Sequence, residues 1–281
     1  MRLKFTKIQG CGNDYIFFDC FNQEIKNPSK LSKKLSNRHY GIGGDGIVLI
    51  KPSKIANAKM IMFNSDGSQG DMCGTGVRCI AKYLFDEQAP NQKNKNDFAI
   101  EVGGSGRVVD VKRLATSPES FYVDMGKANF EREKIPVDLN LDRVISFPLD
   151  VFGRKIPITC VSMGNPHCVI FCENVIDVNM EKIGKFIENH KIFPNRTNVE
   201  FAEILGEKIK MRVWERGSGE TLSCGTGACA CAAAAVENGH FPIGNEIPIE
   251  LRGGELKVKV TKESVYISGE ARKVFEGFVE I

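Results

Sequence analysis

Two short segments of the chain pair a thiol with backbone donors: Cys73-Gly74-Thr75-Gly76 and Cys224-Gly225-Thr226-Gly227. Each follows a short polar loop, "SDGSQGD" or "RGSGETL", and each leads into a helix-like run, "VRCIAKYLF" or "ACACAAAAV". The first N–H groups of a helix lack intrahelical partners, and the dipole adds partial positive charge there. Glycine lets a ligand approach those donors closely, so each segment suits an anionic group such as a carboxylate. A thiol at that spot is expected to have a lowered pKa, with thiolate accessible near neutral pH. Tight packing at a helix start would explain one such segment; it explains two less well.

Two such ends facing one another could hold a carboxylate, with a thiol on either side of the adjacent carbon. That is the arrangement that inverts an α-carbon: one thiolate removes a proton from one face, and the opposing thiol delivers one to the other. Placed acid–base groups contribute about 10²–10⁴-fold, and amides aimed at the enolate-like carboxylate stabilise the carbanion. Competing chemistries fit less well. "CGTG" lacks the Gly-Lys-Ser/Thr ending of a P-loop, and neither "GCGNDY" nor "VGGSGR" sits in a dinucleotide fingerprint. His167 in "NPHC" could pair with a cysteine for nucleophilic catalysis, which leaves one Cys-Gly-Thr-Gly unused. A redox switch between the two thiols would not need anion-binding amides.

The elements that must position these groups can be read coarsely. Strand-like segments are 2–8, 15–20, 46–50, 59–64, 98–102 and 106–113, with "GGSG" (103–106) as a hairpin turn. Helices are expected over 28–41 and 76–88. A polar, Pro-containing stretch at 115–150 suggests a boundary. The pattern then restarts with strands at 157–163, 168–171, 199–205 and 209–216, a helix near 179–190, the second Cys-headed helix, and closing strands over 247–280. Irregular alternation disfavours a doubly wound parallel sheet. The expected fold is α+β: two pseudo-symmetric domains, 1–125 with Cys73 and 126–281 with Cys224, and 270–281 a candidate to return to the first. "ACACAAAAV" is apolar all round, so that helix should be enclosed by curved sheet.

Composition agrees with a soluble enzyme or binding protein. The 281 residues are 42% hydrophobic and 26% charged, with net charge +3 and no basic stripe for nucleic acid. No apolar run approaches the ~20 residues that span a bilayer, and the N-terminus lacks a signal-peptide core, so a cytoplasmic location is expected. Ten cysteines without C-x-x-C spacing, and four histidines that do not cluster with them, give no support for a structural zinc site.

The motifs "GNDY", "GIGGDG", "FNSDGSQGDMCGTGVRC", "SMGNPH" and "ERGSGETLSCGTGA" occur in that order. The series resembles the diaminopimelate epimerase family of cofactor-independent two-cysteine epimerases. The resemblance implies two domains, each a curved sheet around a central helix, with the active site between them. It implies Cys73 and Cys224 as the catalytic pair, no cofactor, and a homodimer. Substrate contacts would fall on Asn13, Asn64, Asn165, Asn198, Glu215 and Arg216, and on the amides of Gly74–Thr75 and Gly225–Thr226. His167 and Glu215 would tune the thiol pKa values. The implied reaction interconverts LL- and meso-diaminopimelate, for lysine and peptidoglycan-precursor synthesis. Two departures stand out: Thr75 where many members have Asn, and Gly46 where some have Gln. Two alternatives remain: a related racemase of proline, hydroxyproline or histidine, or a non-enzymatic thiol redox or anion-binding protein.

Overall fold

Alternating burial marks the first strand, where Leu3 and Phe5 point inward while Arg2 and Lys4 stay exposed. The computed structural model describes residues 2–70, 73–88, 96–103, 106–115, 117 and 119–281. The chain forms two compact units, Met1–Asp124 with Ser268–Ile281, and Met125–Ile267. Unit 1 contains β1 (Arg2–Gly10), β2 (Asn13–Asp19), α1 (Pro28–Leu35), β3 (Gly46–Lys51), β4 (Ala58–Asn64) and β5 (Gln69–Gly70). It continues with α2 (Gly74–Gln88), β6 (Asp97–Val102), β7 (Val108–Arg113) and β8 (Ser120–Gly126), the last of which runs just past the division between the units. Then come β9 (Phe147–Val151), β10 (Arg154–Ser162), β11 (Pro166–Phe171), a π-helical turn at Met180–Gly184, α3 (Lys185–Glu188), β12 (Asn198–Leu205), β13 (Lys208–Glu215) and β14 (Gly219–Thr221). They are followed by α4 (Gly225–Glu237), β15 (Glu246–Leu251), β16 (Gly254–Val260), β17 (Val265–Glu270) and β18 (Arg272–Glu280). β18 lies antiparallel to β1 from Arg2↔Glu280 to Gln9↔Arg272, so the end of the chain belongs to unit 1.

Strand pairing in the two units follows one scheme. In unit 1, β1–β2 is antiparallel, β2–β3 parallel, β3–β4 antiparallel, β4–β6 parallel and β6–β7 antiparallel. In unit 2, β10–β11, β11–β12, β12–β13, β13–β15 and β15–β16 repeat that sequence of senses. The short β5 and β14 add to β4 and β13 in the same way. Each unit packs its longest helix against its strands. Helix α2 buries Val77, Cys79, Ile80, Ala81 and Leu84 against β1, β4, β6, β7 and β18. Helix α4 is buried without interruption from Ala228 to Ala235, among β10–β13, β15 and β16. The uniform apolarity of "ACACAAAAV" therefore does correspond to enclosure. The α+β class holds, with sheet predominating.

Several expectations change. Helix α1 ends at Leu35 rather than at 41. The Asn37 side chain accepts the N–H groups of His39 and Tyr40, which turns the chain, and a Cβ at Gly41 would stand 2.5 Å from the Leu35 carbonyl oxygen. The 179–190 helix is a π-helical turn followed by four α-helical residues, capped where Asn179 Oδ1 accepts the Lys182 N–H at 3.0 Å. The polar 115–150 stretch, where a boundary is expected, holds β8 and all but the last residue of β9, whose apolar alternation is short. In the 103–106 turn, Gly104 and Ser105 lie outside the described residues; the flanking strands pair Glu101 with Val108 as a hairpin requires.

Candidate active site

Both thiols cap their helices in the same way. Cys73 Sγ accepts the Gly76 N–H at 3.3 Å, and the Cys73 carbonyl accepts the Val77 N–H at 3.0 Å. Cys224 Sγ accepts the Gly227 N–H at 3.3 Å, and its carbonyl the Ala228 N–H at 2.9 Å. A sulfur stands where Ser or Asp usually caps a helix. The second glycine leaves room for the sulfur at Cys224, whereas at Cys73 a methyl would make ordinary contact with it. A Cβ at Gly76 would lie 3.7 Å from Cys73 Sγ, and one at Gly227 3.3 Å from Cys224 Sγ.

Around Cys73, which is partly exposed, Asn13 Oδ1 and Tyr15 Oη each lie 3.8 Å from Sγ. Burial, then the adjacent sulfur, holds the Tyr15 phenol well above its ordinary pKa, so it is a neutral hydroxyl. Asn13 is fixed from behind: its Nδ2 donates to Asp45 Oδ2 at 2.8 Å, and Asp45 also accepts the Asp14 N–H. Asp14 pairs with Lys7 at 2.5 Å and, through two nitrogens, with Arg38. Burial pushes the Asp14 carboxyl upward, but the bonds from Arg38 and Lys7 outweigh it and hold it below its usual value. Asn64 donates to Ser68 Oγ at 3.0 Å and sits opposite Gly46 in the β3–β4 ladder. A Cβ at Gly46 would stand 2.1 Å from the Phe63 carbonyl oxygen, so this backbone excludes any side chain here, Gln included. Thr75 is buried and its hydroxyl accepts from Arg78 at 3.3 Å, which leaves Gly74–Thr75 to offer backbone donors.

Around Cys224 the surroundings are denser and acidic. Its neighbour Glu215, which acts on it through charge, accepts from Thr221 Oγ1 at 2.5 Å. Thr226 Oγ1 lies 3.4 Å from Cys224 Sγ and accepts Asn165 Nδ2 at 3.4 Å. Asn165 Oδ1 meets His167 Nε2 at 2.9 Å, and His167 Nδ1 meets Glu200 Oε1 at 2.7 Å. The expected lowering of the thiol pKa does not hold here. Burial, then the charges of Glu215 and Glu200, push Cys224 well above its ordinary value; Thr226 and the Gly227 amide pull it down by less. Glu215 is itself raised, chiefly by burial. Among the contacts described, His167 reaches the sulfur only by way of Asn165 and Thr226, whereas Glu215 acts on it through charge.

Asn198 and Arg216 form the rest of this cluster. Asn198 donates to the Pro166 carbonyl at 2.8 Å and accepts the Arg216 N–H at 2.9 Å, so its amide fixes the backbone that bears Glu215 and Arg216. The Arg216 guanidinium is exposed, with one bond to the Asn195 carbonyl at 3.3 Å. Glu188, which the sequence did not single out, accepts from Trp214 Nε1, the Gly217 N–H and Arg196, and so braces the same loop. Tyr15, Asp45 and Glu200 were also missed. The signal for Glu200 was a carboxylate at an inward position of "VEFAEIL"; Asp45 stood in plain view within "GIGGDG". Among the described residues, no three or more His, Cys, Asp or Glu side chains form a metal-holding group.

The family model described as diaminopimelate epimerase matches residues 5–131 and 159–274. A diaminopimelate epimerase of Acetivibrio thermocellus is 44% identical over 282 residues, covering 99% of each chain. One of Methanococcus maripaludis is 43% identical, covering 99% of this chain and all of the relative. Solved structures of similar fold include a phenazine biosynthesis protein of the PhzF family from Bacillus anthracis, with TM-score 0.70, 17% identity and full coverage of both chains. Another is a hydroxyproline epimerase from Agrobacterium vitis, with TM-score 0.67 and 12% identity over 99% of this chain and 92% of that one. At those identities the likeness is one of fold.

Proposed function

The chain belongs to the diaminopimelate epimerase family, and from that premise we propose that Cys73 and Cys224 invert the α-carbon of diaminopimelate. It is an isomerase that interconverts the LL and meso forms. The observation that carries the residue assignment is the twofold occurrence of a thiol capping a helix, each sulfur 3.3 Å from the third N–H of its helix.

The proton accounting is simple. One sulfur, as thiolate, takes the α-proton from one face and becomes a thiol. The electron pair left on carbon delocalises into the adjacent carboxylate, which becomes an enediolate. The other sulfur, as thiol, gives its proton to the opposite face and becomes a thiolate. N–H groups at Gly74–Thr75 and Gly225–Thr226 hold the carboxylate as its charge grows. Arg216 grips a carboxylate bidentately, and Asn13, Asn64 and Asn165 supply amide partners, with Asn198 setting the Arg216 backbone. Burial, then the charges of Glu215 and Glu200, favour the protonated thiol at Cys224.

The reaction serves lysine and peptidoglycan-precursor synthesis in the cytoplasm. The enzyme acts as a homodimer, a reading supported by Val274, Phe275 and Phe278, which lie exposed along β18. Incubation with LL-diaminopimelate in D₂O tests the function directly: NMR should show loss of the α-proton signal and growth of the meso isomer. No α-deuterium incorporation under reducing conditions would overturn the reading.

A further inference from the structure

Glu200 neither gives nor takes a proton in the steps above, yet it is a carboxyl group with zero exposure beside the Cys224 helix start. We infer that Glu200 is a positioning residue of the Cys224 site, holding His167 with its proton on Nε2 and thereby fixing the Asn165 amide toward Thr226. The inference rests on the functional reading only in taking Asn165 and Cys224 as site residues.

The chain of bonds has one self-consistent direction. Asn165 Nδ2 donates to Thr226 Oγ1, so Asn165 Oδ1 is the atom facing His167 Nε2, and Nε2 must carry a proton to meet it. The contact between Nδ1 and Glu200 Oε1 then contains a single proton, shared by two buried groups 2.7 Å apart. The pair is neutral overall. A net negative charge here would be costly, since Glu200 Oε2 is buried with no hydrogen-bond partner among the described residues. Burial also raises the Glu200 carboxyl, which favours keeping that proton.

The fold does not call for this pair. In the parallel β11–β12 ladder, His167 lies opposite Asn198 and Glu200 is two residues further along. The equivalent β2–β3 ladder sets Tyr15 opposite Gly46, with Val48 two residues along. Unit 1 thus builds the same strands with a tyrosine and a valine. The helix start accommodates the acid too: a Cβ at Gly227 would stand 2.8 Å from Glu200 Oε1, whereas at Gly76 the nearest atom is the Met60 thioether, at 3.1 Å.

Two substitutions test the role. Glu200→Gln can donate its amide hydrogen to Nδ1 and keep the proton on Nε2. Its α-proton exchange should stay within about threefold of the parent. Glu200→Ala leaves Nδ1 without a partner and frees the tautomer. It should lose at least about tenfold in kcat/KM while keeping the parent's circular dichroism. Nitrogen-15 NMR of the four histidines, with His167 assigned by its loss in His167→Asn, reads the tautomer directly. Protonated Nε2 is expected in the parent and in Glu200→Gln, whether or not Glu200→Ala folds. An Nδ1–H tautomer in either protein, or near-parent kinetics in Glu200→Ala, overturns the assignment. The spectra need no substrate, so a parent enzyme inactive on diaminopimelate would sink the functional reading and leave this test standing.

Discussion

At Cys224 two sets of groups pull in opposite directions. The Gly227 amide and the Thr226 hydroxyl favour thiolate, while burial, Glu215 and Glu200 favour thiol, and the second set prevails. A helix start is therefore a location and not a protonation state, because desolvation penalises an ion whatever the dipole offers. The same caution applies to the matching threonines. Thr226 reaches the Cys224 sulfur, whereas Thr75 turns to Arg78. Glu215 is the group to alter. Its negative charge disfavours a thiolate beside it, so Glu215→Gln should lower the Cys224 pKa. The alkylation-versus-pH curve of Cys224, followed by peptide mass spectrometry with iodoacetamide, should move to lower pH. The sign is fixed: a curve unmoved or displaced upward would mean that Glu215 does not hold the thiol protonated.

Helix starts and strand ladders decide what each tetrapeptide can tolerate. Gly76→Ala would press a methyl against the Met60 sulfur at 3.1 Å, and a thioether yields readily. Gly227→Ala would press on Glu200 Oε1 at 2.8 Å, an atom held by His167 in a closed interior. Overpacking of that kind costs about 1–3 kcal/mol. Gly227→Ala should therefore lower the urea midpoint clearly and Gly76→Ala much less; equal losses would show that the two starts are mechanically alike. Elements with strong periodicity were legible before any coordinates. The apolar run of α4 announced an enclosed helix, and most long strands lay within two residues of their reading. Features decided by side-chain competition were not legible. Helix α1 stops at Leu35 because Asn37 offers its own acceptor to the turn. Strands β5 and β14 are too short, at two and three residues, to show a period.

Over the whole chain, one scheme of strand pairing is used twice with almost no shared sequence. Cys-Gly-Thr-Gly stands in both copies, and in each the cysteine sulfur accepts the N–H of the second glycine. The partners differ: Tyr15 and Val48 stand where the other unit has His167 and Glu200. The repeat was thus visible at the thiols, and the Glu200–His167 pair was not, since a lone glutamate in an apolar strand carries no motif. Inequality between the two sulfurs gives the proposed mechanism its sharpest consequence. If each sulfur serves one face of the α-carbon, a single substitution should abolish inversion without abolishing every proton transfer. Cys73→Ser leaves only Cys224 to remove and return a proton, so it should wash deuterium into one stereoisomer of diaminopimelate with its configuration retained. Cys224→Ser should do the same for the other stereoisomer alone. The assay is α-proton NMR in D₂O on the separated LL and meso forms, with epimer formation followed in parallel. Inversion surviving in either variant, or both variants exchanging the same stereoisomer, would mean that the two thiols do not divide the faces between them.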